Sequence, residues 1–323
     1  MSLSRQAPRA RLARWALPLV ATGFAAMALP VSATPTARVA AAVTQTQQAR
    51  VATFNIHEQT ATRNTLPSWQ HRRDAVVTSI RRGAPQVVAI QEGADWVDGR
   101  CGPRQVDDLV ARLGGGWTVA HTDPIPCRER GWRRTGVYVI YDSTVFRASG
   151  PVGHWNVATD RLHQPRWAAY QVLENRTTGA RMLFVSTHLM VGRTLRLDHE
   201  RAGETRRLLD DVASLRLGLP VVYAGDYNSH QHHSYDGPGI VMRDAHVRDA
   251  WYAADRRVRS RYDSANGYLR RPPRAGVSID HIYASSGVTL RTWRLVMRLR
   301  DGRFVGVIPS DHNLLVSDIT YRY

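Results

Sequence analysis

Val221-Val222-Tyr223-Ala224-Gly225-Asp226-Tyr227-Asn228 decides how the rest of the chain is read. Its first half is an apolar run between Leu219-Pro220 and a glycine, the pattern of a short buried strand. A carboxylate and an amide then follow two positions apart. Side chains at i and i+2 of an extended segment share a side, so Asp226 and Asn228 face one small molecule or ion beyond the strand end. Alone the pair is a weak signal, because Asp and Asn also favour turns. It gains weight because residues 51–55, 87–92, 183–188 and 279–280 repeat the design, apolar runs ending at Asn55, Glu92, His188 and Asp280. A sixth stretch, Pro309-Ser310-Asp311-His312, precedes the run Leu314-Leu315-Val316. The six polar ends are expected to line one pocket.

With 323 residues, 43% of them hydrophobic, the chain can bury a large core as a single α/β domain. Its formal charge is +17, carried entirely by Arg because the sequence contains no Lys. Arg suits bidentate contacts to phosphate, although a GC-rich codon bias would produce the same substitution everywhere. The sign of the charge holds under either explanation. It favours an anionic partner, such as nucleic acid or an anionic membrane surface.

The first residues read as a secretory signal. Arg5, Arg9, Arg11 and Arg14 precede an apolar stretch from Trp15 to Val31, and Val31-Ser32-Ala33 resembles a cleavage site. Residues 1–33 are therefore expected to be removed, and the protein to be secreted. Residues 34–49, rich in Ala, Thr and Gln, read as a disordered linker. The folded domain is expected over residues 50–323. In an oxidising compartment the two cysteines, Cys101 and Cys127, read as one disulfide.

Apolar periodicity and breakers predict helices over residues 68–82, 105–113 and 197–215. Strands are expected over 51–54, 86–90, 137–141, 166–173, 181–186, 279–284, 290–299, 304–308 and 313–321, with a hairpin turn at Asp301-Gly302. Residues 229–277 read as mostly loop, with a short helix near Asp249. Strands dominate with helices between some of them, which suggests two packed sheets with helices outside.

Phe54-Asn55-Ile56-His57, Ile90-Gln91-Glu92, Ser186-Thr187-His188, Gly225-Asp226-Tyr227-Asn228, Ile279-Asp280-His281 and Ser310-Asp311-His312-Asn313 occur in this order. Together they resemble the endonuclease/exonuclease/phosphatase (DNase I-like) superfamily. It includes nucleases, inositol polyphosphate phosphatases and bacterial sphingomyelinases. Single tripeptides are weak signals, but six in sequence are specific. The resemblance implies a four-layer α/β sandwich and a Mg²⁺-dependent phosphoesterase, with Mn²⁺ or Ca²⁺ as alternatives. Hard cations of this kind take oxygen ligands and neutralise phosphate charge.

By the same resemblance, Glu92 is the principal metal ligand, Asn55 assists at the metal or phosphate, and Asp311 sits near both metal and attacking water. Asp226 orients or deprotonates that water. Asn228 holds a non-bridging oxygen. His188 stabilises the phosphate or protonates the leaving group, and His312 serves as base or phosphate contact with Asp280 fixing its tautomer. Arg166 stands where DNase I-like members carry a phosphate-binding Arg. His57, Glu58 and His281 read as neighbours of the site, and His230, His232 and His233 as a solvated tract. One departure is the stretch Arg133-Arg134-Thr135-Gly136, which has no Glu where DNase I-like enzymes pair one with the first catalytic His. The expected substrate is DNA or RNA, the alternative a membrane phospholipid such as sphingomyelin or a phosphate monoester. An inactive anion-binding module is a third reading. No protein partner is implied, and the protein is expected to be a monomer.

Overall fold

Successive side chains along the central strands enter different cores, and this alternation builds the layers. The computed structural model describes residues 45–59, 66–93, 103–120, 136–159, 165–233 and 235–323, all within one unit, Thr44–Tyr323. Cys101 and Cys127, the expected signal segment and most of the expected linker lie outside the described residues. In chain order the elements are β1 (Thr46–Asn55), α1 (Trp69–Gly83), β2 (Val87–Gln91), α2 (Gln105–Leu113), β3 (Trp117–Val119), β4 (Tyr138–Asp142), β5 (Phe146–Asn156), β6 (Trp167–Asn175), β7 (Arg181–His188), α3 (Leu195–Ser214), β8 (Val221–Asp226), α4 (Gly237–Asp244), β9 (Arg248–Asp249), α5 (Ala250–Ala253), β10 (Arg256–Val258), β11 (Asp280–Ala284), β12 (Val288–Leu290), β13 (Thr292–Val296), β14 (Leu299–Arg300), β15 (Arg303–Phe304) and β16 (Leu314–Arg322).

The first sheet runs β10-β13-β16-β1-β2-β4-β3, with β12 also on β16, and the second runs β5-β6-β7-β8-β11-β9. In the first, β1 is parallel to β2 and antiparallel to β16. In the second, β8 is parallel to β7 and antiparallel to β11. Val51 of β1 and Val87 and Ala89 of β2 share a core with Met182 and Phe184 of β7, Val222 and Ala224 of β8, and Ile282 and Ala284 of β11. That core is the space between the sheets. The alternate residues go the other way. Ala52, Phe54, Val88 and Ile90 pack with Val76, Val77 and Ile80 of α1 and Val106 and Leu109 of α2. Leu183, Val185 and Tyr223 pack with Leu208 and Val212 of α3 and Met242 of α4. Because both faces are covered, these strands read as continuous apolar runs. The result is the expected four-layer α/β sandwich.

Several expectations shift at the edges. The strand β1 begins at Thr46, ahead of the expected boundary at Arg50, because pairing with β16 from Thr46↔Arg322 onward satisfies the backbone and Ala49 is buried. β5 was not expected. Its residues are largely exposed and interrupted by Gly150-Pro151, and the ladder with β6 slips between Ala148 and Val152. The expected loop over 229–277 contains α4, started by Asp236 accepting from Gly239 N, and the edge strand β10. The expected strand over 304–308 stops at Phe304, and Gly306 has φ +75°. No described helix is long and apolar enough to cross a membrane.

Candidate active site

The residues of the central strands that face between the sheets are apolar at one end and polar at the other. After Val51 comes Thr53 and then Asn55; after Val87 and Ala89 comes Gln91; after Phe184 come Ser186 and His188; after Ala224 comes Asp226. A seam of hydrogen bonds closes the apolar core beneath the site: Thr53 Oγ1 donates to Gln91 Oε1 at 3.1 Å, and Gln91 Nε2 donates to Ser186 Oγ at 3.2 Å. Above it, register aligns the functional groups. His188 is opposite Asp226 across β7 and β8, and Asp280 is opposite Asp226 across β8 and β11.

Asp226 is the centre. His188 Nε2 and His312 Nε2 each lie 3.6 Å from its Oδ2, too long for a hydrogen bond. Asn55 Nδ2 donates to the same oxygen at 3.1 Å and to Glu92 Oε1 at 2.8 Å. Behind His312, its Nδ1 is 2.9 Å from Asp280 Oδ2 and 3.1 Å from Oδ1. Burial works against a charged His312 ring, but the charges of Asp280 and Asp226 and the bond to Asp280 overcome it and hold its pKa well above the ordinary value. His188 is the opposite case. Burial lowers its pKa despite the attraction of Asp226 and Glu92, and Arg166 adds to the lowering. Two imidazoles thus approach one carboxylate oxygen with opposite protonation tendencies.

A second carboxylate pair lies beside this centre. His57 Nδ1 is 3.2 Å from Asp311 Oδ2 and 3.9 Å from Glu92 Oε2. Glu92 also accepts from Glu58 N at 3.0 Å. Burial would raise the Asp311 carboxyl, but the bond from His57 and the nearby His312 hold it well below the usual range. His57, Glu92 and Asn228 have φ of +56°, +59° and +49°. Such conformations cost about 1–3 kcal/mol each outside glycine and concentrate at functional sites. For Glu92 the turn breaks the alternation set by Gln91 and brings the carboxylate back toward Asn55.

The remaining expected residues fall close by. Asn228 is tied down, its N donating to Asp226 Oδ1 at 2.9 Å and its Nδ2 to Leu189 O at 3.1 Å. Arg166 contacts Met190 Sδ at 3.5 Å, and its charge acts on His188 and on Glu204. Burial pushes the Glu204 carboxyl up to about 7, against the Met190 N–H that it accepts at 2.9 Å. His281 belongs to structure, bound to Asp249 Oδ2 at 2.8 Å and Ser229 O at 3.0 Å. The His230 and His233 rings have centroids 3.9 Å apart with planes tilted by 54°, and His233 Nδ1 is 3.1 Å from Asp198 Oδ1.

Arg72 and Tyr268 were not legible in the sequence, and Ser310, though part of a quoted motif, had no role there. Arg72, on the face of α1 where an Arg normally reads as solvated, is fully buried and donates to the carbonyls of Ile56, His57 and Pro309. It staples the two loops that carry His57 and Asp311. Ser310 Oγ donates to Asn55 O at 2.8 Å. Tyr268 places its ring edge-on to His57, centroids 5.5 Å apart.

The residues present suit a hard cation. Among the described residues the tightest convergence of ligating atoms is Asp226, Asp280 and His312, within 4.8 Å. There, however, Asp280 and His312 are spent on each other. The oxygen-rich neighbourhood of Glu92, Asp311 and Asn55 fits Mg²⁺-like chemistry better.

Comparison with known proteins agrees with this geometry. The model of the endonuclease/exonuclease/phosphatase family matches residues 52–312. The chain belongs to that family. Its members are hydrolases acting on phosphoester bonds and generally use divalent metals. The Drosophila melanogaster protein angel is 24% identical over 172 residues, 50% of this chain and 44% of that one. The chain thus spans less than half the length of that relative. Among solved structures, a mannosyl-6-phosphatase of Bacteroides thetaiotaomicron aligns with TM-score 0.66 and 16% identity, covering 84% of this chain and 99% of its own. D. rerio TDP2 in complex with single-strand DNA product aligns with TM-score 0.58 and 17% identity over 84% and 98%. At these identities the structures speak for the fold.

Proposed function

We propose that the protein is a divalent-metal-dependent phosphodiesterase acting on nucleic acid. The observation that carries this reading is the approach of His188 and His312 to one oxygen of Asp226, with Asp280 behind His312. Asp226 accepts a proton from the attacking water at Oδ2. His312, held protonated by Asp280 and Asp226, donates Nε2–H to the phosphate as negative charge develops, which is electrostatic stabilisation by a fixed donor. His188 occupies the other side as a second phosphate contact, and Asn228 and Arg166 flank it. Glu92, with Asn55 and Asp311, would hold the cation, which when bound supplies Lewis acidity toward phosphate oxygens.

The net charge of +17 supports a polyanionic substrate over a small neutral one. Likeness to a mannosyl-6-phosphatase favours a phosphate monoester as the second reading. Cleavage after Ala33 and secretion remain part of the proposal, as does the pairing of Cys101 with Cys127. Incubating the purified protein with plasmid DNA, RNA, a sugar phosphate and sphingomyelin, with Mg²⁺ or chelator, separates the readings. Metal-dependent cleavage of DNA or RNA is expected. Turnover confined to the sugar phosphate or the lipid would overturn the nuclease assignment.

A further inference from the structure

Beside the site lies a surface that the chemistry above does not use. β13 is antiparallel to β16, which is antiparallel to β1, so Val296 at the end of β13 pairs with Leu314 at the same end of the sheet as Asn55. β10 runs parallel to β13. The chain therefore leaves both strands at the active-site end, carrying Arg259 and Arg261 from one and Arg298 from the other. Phe304 N donates to Arg270 O at 2.9 Å, and Arg259 donates to Met297 O, joining the two segments into one face. Residues 259–274 and 298–303 together present eight arginines, 259, 261, 270, 271, 274, 298, 300 and 303, all exposed. They carry two carboxylates. Asp263 is occupied by the N–H groups of Ala275 and Val277, and Asp301 sits at the hairpin tip. Among the described residues none of the eight has a carboxylate within ion-pair distance.

The guanidinium carbons of Arg261 and Arg274 lie 5.3 and 5.4 Å from the Tyr262 ring centroid. Arg259, Ser260, Arg261, Tyr262 and Leu299 line an open depression of about 440 Å³. This face continues into the site. Asn313 N donates to Ser264 O at 2.7 Å, Gly267 N donates to Asp311 O at 3.0 Å, and Ser264 Oγ accepts from Asp280 N at 3.1 Å. Tyr262 is four residues from Asn266, which bounds their separation at roughly 14 Å.

We propose that this arginine face is an extended binding tract for the sugar–phosphate backbone of a single-stranded nucleic acid whose scissile phosphate lies at Asp226. The proposal rests on the nuclease reading and adds that substrate length matters. Arginines with no carboxylate partner suit a linear polyanion, because a guanidinium can take a phosphate in bidentate fashion; Arg259 and Arg270 are the two already bonded to backbone carbonyls. A membrane face would need a contiguous apolar wedge. On and beside these segments the exposed large apolar side chains are two, Leu269 and Val307, against eight exposed arginines.

The test uses two variants on separate segments, R298Q/R300Q/R303Q and R261Q/R274Q. Binding of a fluorescein-labelled 24-nucleotide single-stranded DNA is measured in chelator across a salt series. In the triple variant affinity is expected to fall at least tenfold, and the slope of log K against log salt to fall by about 2, since each lost phosphate contact removes about 0.7. KM for the 24-mer rises, while turnover of bis(p-nitrophenyl) phosphate is unchanged. Unchanged affinity and slope in both variants overturn the tract. Loss of binding to phosphatidylglycerol vesicles with DNA binding intact also overturns it, and assigns the face to membranes. If the wild-type protein cleaves no phosphodiester, the nuclease reading fails while the binding arm still decides the tract.

Discussion

Asp226 Oδ2 takes one hydrogen bond from Asn55 and faces two imidazoles that stop short of it. Asp226→Asn keeps the volume and removes the charge. It should leave the circular dichroism spectrum unchanged and lower kcat by about 10³-fold or more, the scale of a lost general base. A kcat near wild type would remove Asp226 from the chemistry. Asp280→Asn and His312→Ala should each lower kcat strongly, and the double variant should lose little beyond the worse single one, because the two act as a unit. In Asp280→Asn the His312 ring should titrate at lower pH by NMR, having lost its partner. At this scale the sequence was readable where a side chain ends an apolar strand: Asn55, His188 and Asp226 lie where alternation put them, whereas Asp280, expected to end its run, instead opens β11. Arg72 and Tyr268 were not, because nothing local distinguishes a buried carbonyl-binding Arg or a loop Tyr from solvated ones.

Elements set the spacing of these groups. Gly225 precedes Asp226, and a Cβ there would lie 2.2 Å from Thr187 O of the neighbouring strand. The missing side chain lets β7 and β8 close just below His188 and Asp226. Gly225→Ala must push backbone from backbone, so it should cost about 3 kcal/mol by denaturant titration and lower kcat more than it raises KM. A wild-type kcat would show that the spacing tolerates movement. A chain trimmed to begin at Arg50 loses the pairs Thr46↔Arg322 through Ala49↔Ile319. Its melting temperature should drop by several degrees relative to a chain beginning at Gln45. The central strands were legible because burial on both faces gives uninterrupted apolar runs. β5 was not, because as an edge strand it buries little, and α4 was not, because Gly237-Pro238-Gly239 reads as a turn although Pro suits a helix's first position.

The whole molecule should weaken as pH rises through the alkaline side of neutrality. Burial disfavours a charged His281, yet the charge and hydrogen bond of Asp249 raise its pKa to about 9. A raised folded-state pKa stabilises fully below the unfolded value of about 6.5. The contribution is then lost as pH climbs toward 9. His312, raised well above its ordinary value, changes in the same sense. Asp311 and Glu174, held low, are ionised throughout this window and add no slope. His188 and His230, both lowered, are already neutral in both states. Thermal stability in chelator should therefore fall between pH 7 and 9, and Asp249→Asn should flatten that fall. A profile that rises over this range would contradict the assignment.

The pairing of β1 with β16 also fixes when the pocket can be complete. Arg50 and Asp318, 268 positions apart, are joined by a 2.6 Å ion pair on neighbouring strands in the middle of a sheet. A nascent chain emerging from its N-terminus carries β1 with one side unpaired until β16 arrives, and with it lacks Asp311 and His312. Loop closure over so long a separation comes late in folding. The first sheet and the pocket beside it are therefore complete only once residues at both ends of this 268-position span have met.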